Sequence, residues 1–265
     1  MFKKLTDVKK GLLFCVLVLL ISLFFGIYMP AAELPNQISP MFVALIMMLV
    51  ITREGYTKAG WKTLGIHKLG LRTWLFALLA PLVILAIGYV IVLGLGTAKL
   101  IEPADATWMG FIINMFLMIA AVTILSLGEE FGWRGYLFPR LYKLGRVKTS
   151  IIIGLVWAAW HYPILLLTDT YHPGGNRLVV LLLFTLIIVS ASFIYNELRM
   201  ITGSIWPACL LHASLNIGYN NLQTLLDGKQ SSIELIAGET GITTVIIVGF
   251  AAIWIIKNRK PYAQV

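Results

Sequence analysis

The stretch "WMGFIINMFLMIAAVTILSLGEEFGWR", residues 108–134, decides how the chain is read. Residues 108–125 contain no charged side chain. At 1.5 Å per residue such a helix nearly crosses a hydrocarbon core of about 30 Å. Two adjacent carboxylates, Glu129 and Glu130, then follow, with Arg134 one helical turn later. A charged side chain inside a membrane span costs about 2.5–3.5 kcal/mol or more, and such residues mark function. The glutamates at the end of this apolar run therefore need a reason.

The whole chain repeats the apolar character of this stretch. Of 265 residues, 59% are hydrophobic and 12% charged, with a mean hydropathy of +0.87. Soluble domains carry about 25% charged residues, so the composition excludes a soluble enzyme and implies an all-α polytopic membrane protein. Expected spans are 11–30, 40–52, 73–96, 107–128, 149–167, 178–195, 203–222 and 240–256, eight in all, the second short and the seventh polar. With both termini cytoplasmic, the inner segments collect Lys3, Lys4, Lys9, Lys10, Arg53, Lys58, Lys62, Lys68, Arg72, Arg134, Arg140, Lys143, Arg146, Lys148, Arg199, Lys257, Arg259 and Lys260. Only Lys99, Arg177 and Lys229 fall outside. This bias is the positive-inside pattern, and it accounts for the net charge of +9 without nucleic-acid binding. Residues 1–265 read as one transmembrane domain with a motif-bearing core at about 107–222.

The first span is too long for the 7–15-residue core of a signal peptide and reads as a retained helix. Cys15 and Cys209 fall inside spans and read as packing residues. The segments 53–72 and 136–148 mix basic and apolar side chains and are expected to lie on anionic headgroups.

Polar residues enter the spans at three places. Glu130 and Arg134, spaced i, i+4 with the acid first, form a favourable helix pair. Glu129 projects about 100° away and has no such partner, which suits a carboxylate to proton transfer. The sequence "GLVWAAWHYP" places His161 in an apolar helix, with Trp157 one turn earlier. In "ACLLHASLNIGYNN", His212 and Asn216 share a face. Separately, these residues fit interhelical hydrogen bonding. Together, one acid, two imidazoles and an amide can activate a water and stabilise an oxyanion. Glu129, His161 and His212 also match a catalytic zinc ligand set. Either reading is hydrolysis within the membrane. A Cys209–His212 thiol pair is geometrically allowed but leaves Glu129 and His161 idle. Glu129 sits near the inner end of its span and the histidines lie deeper, so a funnel opening to the cytosol and inner leaflet is expected.

The motifs Glu129-Glu130-Phe131-Gly132-Trp133-Arg134, Trp157-Ala158-Ala159-Trp160-His161 and His212-Ala213-Ser214-Leu215-Asn216, in this order, resemble the CAAX protease and bacteriocin-processing family of intramembrane endopeptidases (Ras-converting-enzyme-like, Abi family). The resemblance implies that Glu129 and His161 activate a water, that His212 and Asn216 form an oxyanion hole, and that Glu130 and Arg134 support them. The family's second motif usually begins with Phe, where this chain has Trp157. Family members have been described both as metalloproteases and as metal-independent glutamate peptidases. Asn216 fits an oxyanion donor better than a zinc ligand, which favours the metal-free form. The resemblance also implies a membrane-associated or prenylated peptide as substrate and a multi-pass bacterial cell-membrane location. Outside enzymes, the same polar residues fit a peptide transporter or a bacteriocin immunity protein. A transporter would be favoured by broken helices in repeated halves, which the sequence does not show.

Overall fold

The computed structural model describes residues 5–30, 32–104, 107–168 and 176–259. Lys3, Lys4 and Lys260 of the basic count lie outside them. Helices α1 (Asp7–Tyr28) and α2 (Glu33–Ile46) come first, and α2 continues as a wide π-helical turn, Met47–Ile51. The short α3 (Lys58–Thr63) precedes α4 (Trp74–Gly94) and α5 (Trp108–Leu125). The helical path then runs on through α6 (Leu127–Glu130), a π-helical segment Phe131–Leu137 and α7 (Phe138–Leu141). Helices α8 (Arg146–Leu167), α9 (Arg177–Thr202) and α10 (Trp206–Leu222) follow. The chain closes with α11 (Gln230–Ala237) and α12 (Ile242–Asn258). A two-stranded antiparallel ribbon, β1 (Ala98–Leu100) with β2 (Leu226–Gly228), pairs Lys99 with Asp227.

The chain is an all-α polytopic membrane protein. Among the described residues, seven helical stretches are long and apolar enough to cross a membrane: Asp7–Tyr28, Leu34–Ile51, Leu71–Gly94, Trp108–Leu144, Arg146–Leu167, Arg177–Thr202 and Gln230–Asn258. The remaining expected span coincides with α10, 17 residues long. Leu210, Leu211, His212, Ala213 and Ser214 on this helix are all buried, and it packs on α4, α5 and α9. Its polarity fits a helix surrounded by protein rather than lipid.

The fourth span departs most from expectation. It does not end at 128 but continues as helix to Leu144, so Glu129 and Glu130 lie within a helical path of 37 residues. Glycine explains the packing here. A Cβ on Gly132 would stand 2.6 Å from Cβ of Pro40 and 2.8 Å from its backbone, and one on Gly128 would stand 3.2 Å from the Gln37 carbonyl oxygen. These two glycines let α2 lie directly against the glutamate segment. Local π-helical winding of this kind recurs at functional sites.

Segment 136–148 is likewise not a surface strip, because Tyr136, Leu137, Phe138, Arg140 and Leu141 are buried. Segment 53–72 is divided. Leu64 is fully buried, whereas Trp61 and Leu69 are exposed. Cys15 and Cys209 are free thiols, both buried.

The bundle has two distinct ends. At one, Glu54 binds Lys10 and Arg140, each at 2.5 Å, while Glu197 binds Arg146 at 3.1 Å and Arg259 at 3.6 Å. These contacts gather the start of α1, the 52–56 turn, α7, the start of α8 and the end of α12. The β-ribbon and the segment joining α11 to α12 form part of the other end.

Candidate active site

Glu129 and Glu130 are neighbours in sequence and leave the helix in different directions, as 100° per residue requires. Glu130 is fully buried. Its Oε1 accepts from Arg134 Nη1 at 3.1 Å and from His212 Nδ1 at 3.1 Å. The Arg134 guanidinium is held between two rings, 4.2 Å from the centroid of Trp157 and 4.3 Å from that of Tyr195. Stacking of this kind is stronger for a desolvated cation. The expected Glu130–Arg134 pair is therefore present, with His212 as a further partner.

Glu129 takes another route. Its Oε2 accepts the indole N–H of Trp157 at 2.9 Å, and its Oε1 lies 3.8 Å from His212 Nε2. The latter gap is too long for a direct hydrogen bond. His161 Nδ1 is 2.9 Å from the carbonyl oxygen of Trp157, one turn back on α8. A carbonyl only accepts, so Nδ1 carries the proton and Nε2 keeps a free lone pair. The His161 ring is fixed edge-on between Trp160, at 4.6 Å, and Phe184, at 4.9 Å.

A cavity of about 390 Å³ collects these groups, and Glu129, His161, His212 and Asn216 all line it. Glu130 and Arg134 do not line it and stand behind its wall. Trp157, Trp160 and Tyr195 form aromatic walls, and Ile164, Ile187, Ile188 and Leu215 supply apolar surface. Such a mixture of apolar lining and a few convergent polar groups is typical of a substrate pocket.

Sequence reasoning missed the donor role of Trp157, which it treated only as an aromatic preceding His161. The available signal was the indole N–H itself, since a buried tryptophan must find an acceptor. It also missed Tyr195 and Glu239, which line the same cavity. From Glu129 the cavity leads toward Asn36, Gln37, Asn220, Glu239 and Thr240, at the end opposite the basic clusters.

Among the described residues, no three His, Cys, Asp or Glu side chains converge closely enough to hold a metal ion. His212 Nδ1 and His161 Nδ1 are both engaged by protein oxygens, and Glu129 is engaged by an indole. These bonds leave Nε2 of both histidines free, the arrangement usual for metal-bound imidazoles. Cys209 is fully buried and does not line the cavity, so the thiol alternative has no access to a substrate.

Residues 111–218 match the family model described as Type II CAAX prenyl endopeptidase Rce1-like. The motif-bearing core is similar to the CAAX protease family. A curated relative, CAAX prenyl protease 2 of Methanococcus maripaludis, is 36% identical over 63 residues. That stretch covers 23% of this chain and 22% of the relative, so the likeness spans about a fifth of the relative's length. Within the matched residues 111–218 fall Glu129, His161, His212 and Asn216, while Asn36, Gln37, Asn220, Glu239 and Thr240 at the far end of the cavity lie outside them.

Proposed function

We propose that the chain is an intramembrane endopeptidase that hydrolyses a peptide bond with a water activated by Glu129 and His161. The observation that carries this reading is the shared cavity. An acid, two imidazoles and a carboxamide from α6, α8 and α10 line one space, while Glu130 and its cation Arg134 stand outside it. The match to the Rce1-like model and the name of the archaeal relative support a protease.

The chemistry follows from the donors. Trp157 holds one Glu129 oxygen, leaving the other to take a proton from a water beside it. His161 presents an unprotonated Nε2 that relays this proton. The water oxygen bonds to the peptide carbonyl carbon and the carbonyl oxygen becomes an oxyanion. A protonated His212, its Nδ1–H held by Glu130, donates from Nε2 to that oxyanion, together with the Asn216 amide. The C–N bond then breaks, and the proton taken from water passes to the leaving amine. Water and peptide are consumed, and an acid and an amine are formed.

The relative's printed name, CAAX prenyl protease 2, supports a membrane-associated or prenylated CAAX-type peptide as the substrate. The test is cleavage of a fluorogenic peptide by purified protein in detergent. Glu129→Ala and His161→Ala lose about 100-fold or more of turnover, the range set by general acid–base catalysis. Wild-type rates in both variants would place the chemistry elsewhere.

A further inference from the structure

Helix α2 touches the residue immediately before each of the two proton carriers. Gly128 precedes Glu129, and a Cβ on it would stand 3.2 Å from the Gln37 carbonyl oxygen. Trp160 precedes His161 and donates its indole N–H to Ser39 Oγ at 3.1 Å. The carbonyl oxygen of the same tryptophan accepts from Ser22 Oγ of α1. Residues 36–39 are thereby held between the glutamate segment and α8. They lie outside residues 111–218, the stretch matched by the Rce1-like model.

Within this segment, Asn36 borders the cavity together with Glu129, His161 and Asn216. It shares one face of α2 with Ser39 and Pro40, three and four residues on, and all three are buried. A polar side chain in a membrane helix commonly serves a hydrogen bond to a neighbouring helix, and Ser39 does so through Trp160. Asn36 does not. It is more than nine-tenths buried, and its Oδ1 accepts no hydrogen bond among the described residues. A buried acceptor left unmet destabilises the fold. That cost is offset when a molecule in the cavity supplies a donor.

A peptide carries such a donor at nearly every residue. The carboxamide sets an acceptor beside a donor, which is the complement of a main-chain N–H and C=O. It therefore grips a backbone without selecting a side chain.

We propose that Asn36 binds the main chain of the peptide, its Oδ1 accepting one backbone N–H close to the bond that is cut. The proposal deepens the peptidase reading and rests on it for the identity of the ligand. Asn36 sets how the peptide is seated along the cavity. Glu129, His161, His212 and Asn216 then act on the bond so placed, and Asn36 takes no proton in the reaction.

The test reads binding, in a Glu129→Gln background that removes turnover. A fluorescent prenylated CAAX-type peptide and its singly N-methylated forms are titrated by anisotropy into purified protein in detergent. At one position N-methylation should weaken binding by about 3- to 10-fold, as loss of one neutral hydrogen bond does. Adding Asn36→Leu should weaken binding of the unmethylated peptide by a similar factor, and the methyl group at that position should then have no further effect. Asn36→Ala repeats the cycle should Asn36→Leu not fold. A merely structural Asn36 would leave the N-methyl pattern unchanged in the variants. That outcome overturns the proposal, as does N-methylation that is harmless at every position. A protein that binds the peptide through Asn36, yet in its wild-type form does not cleave it, would contradict the peptidase reading alone. Cleavage by wild type with an N-methyl pattern indifferent to Asn36 would contradict this proposal alone.

Discussion

Trp157 donates its indole N–H to Oε2 of Glu129 across 2.9 Å, and the backbone carbonyl of the same tryptophan receives Nδ1 of His161 at 2.9 Å. One residue on α8 therefore orients both proposed proton carriers. Where the family usually has Phe, no indole N–H would be present.

This contact gives the first prediction. Trp157→Phe keeps an aromatic ring but removes the donor, while the carbonyl that holds His161 remains. A hydrogen bond to a charged group contributes about 1.5–3 kcal/mol, which corresponds to roughly a 10- to 100-fold change in rate. We expect kcat to fall by that factor and KM to change little, measured by steady-state cleavage of one peptide. An equal loss in Trp157→Phe and Trp157→Ala through a raised KM would mean that the ring only shapes the pocket.

The second prediction concerns stability. Glu130 and Arg134 are both fully buried and 3.1 Å apart, and the guanidinium is packed between two rings. Arg134→Met leaves the Glu130 carboxylate in the interior without its cation. Removing one partner of a buried pair costs about 3–5 kcal/mol, so thermal unfolding in detergent should move down by many degrees. Arg134→Lys should recover only part of this loss, since an ammonium does not stack as a planar guanidinium does.

Much of this arrangement could be read in the sequence before any coordinates. All eight expected spans coincide with helix because twenty apolar residues have few other folds in a membrane. The Glu130–Arg134 pair followed from helical spacing alone. What could not be read depended on contacts between distant segments. Nothing local to residues 125–140 says that Gly128 and Gly132 admit α2, or that the helix continues past Glu130 instead of ending in water. Segment 136–148 looked amphipathic because its basic residues were assumed to be solvated. Arg140 instead lies on Tyr136, 3.4 Å from the ring centroid, and binds Glu54. The residues that fill the basic end come from the segment after α6 and, with Leu64, from just past α3.

The third prediction uses that basic end. Burial pushes the Glu54 carboxyl up, but Lys10 and Arg140 outweigh it and hold the group below the usual carboxylate range. Because the folded value is lower than the unfolded one, folding gains stability from Glu54 above the ordinary glutamate value of about 4.3. That gain is lost as pH falls through the folded value. The difference in unfolding free energy between wild type and Glu54→Gln should be constant near neutrality and should shrink as pH drops below that range. A difference that grows on acidification would reverse the assigned sign.

The division of labour between the two glutamates is the central claim, and turnover by the isosteric Glu129→Gln variant tests it most directly. At saturating peptide, Glu129→Gln should retain the wild-type unfolding temperature within a few degrees and lose about 100-fold or more in kcat, as removal of a general base requires. A Glu129→Gln enzyme that turns over within a few-fold of wild type would contradict the account.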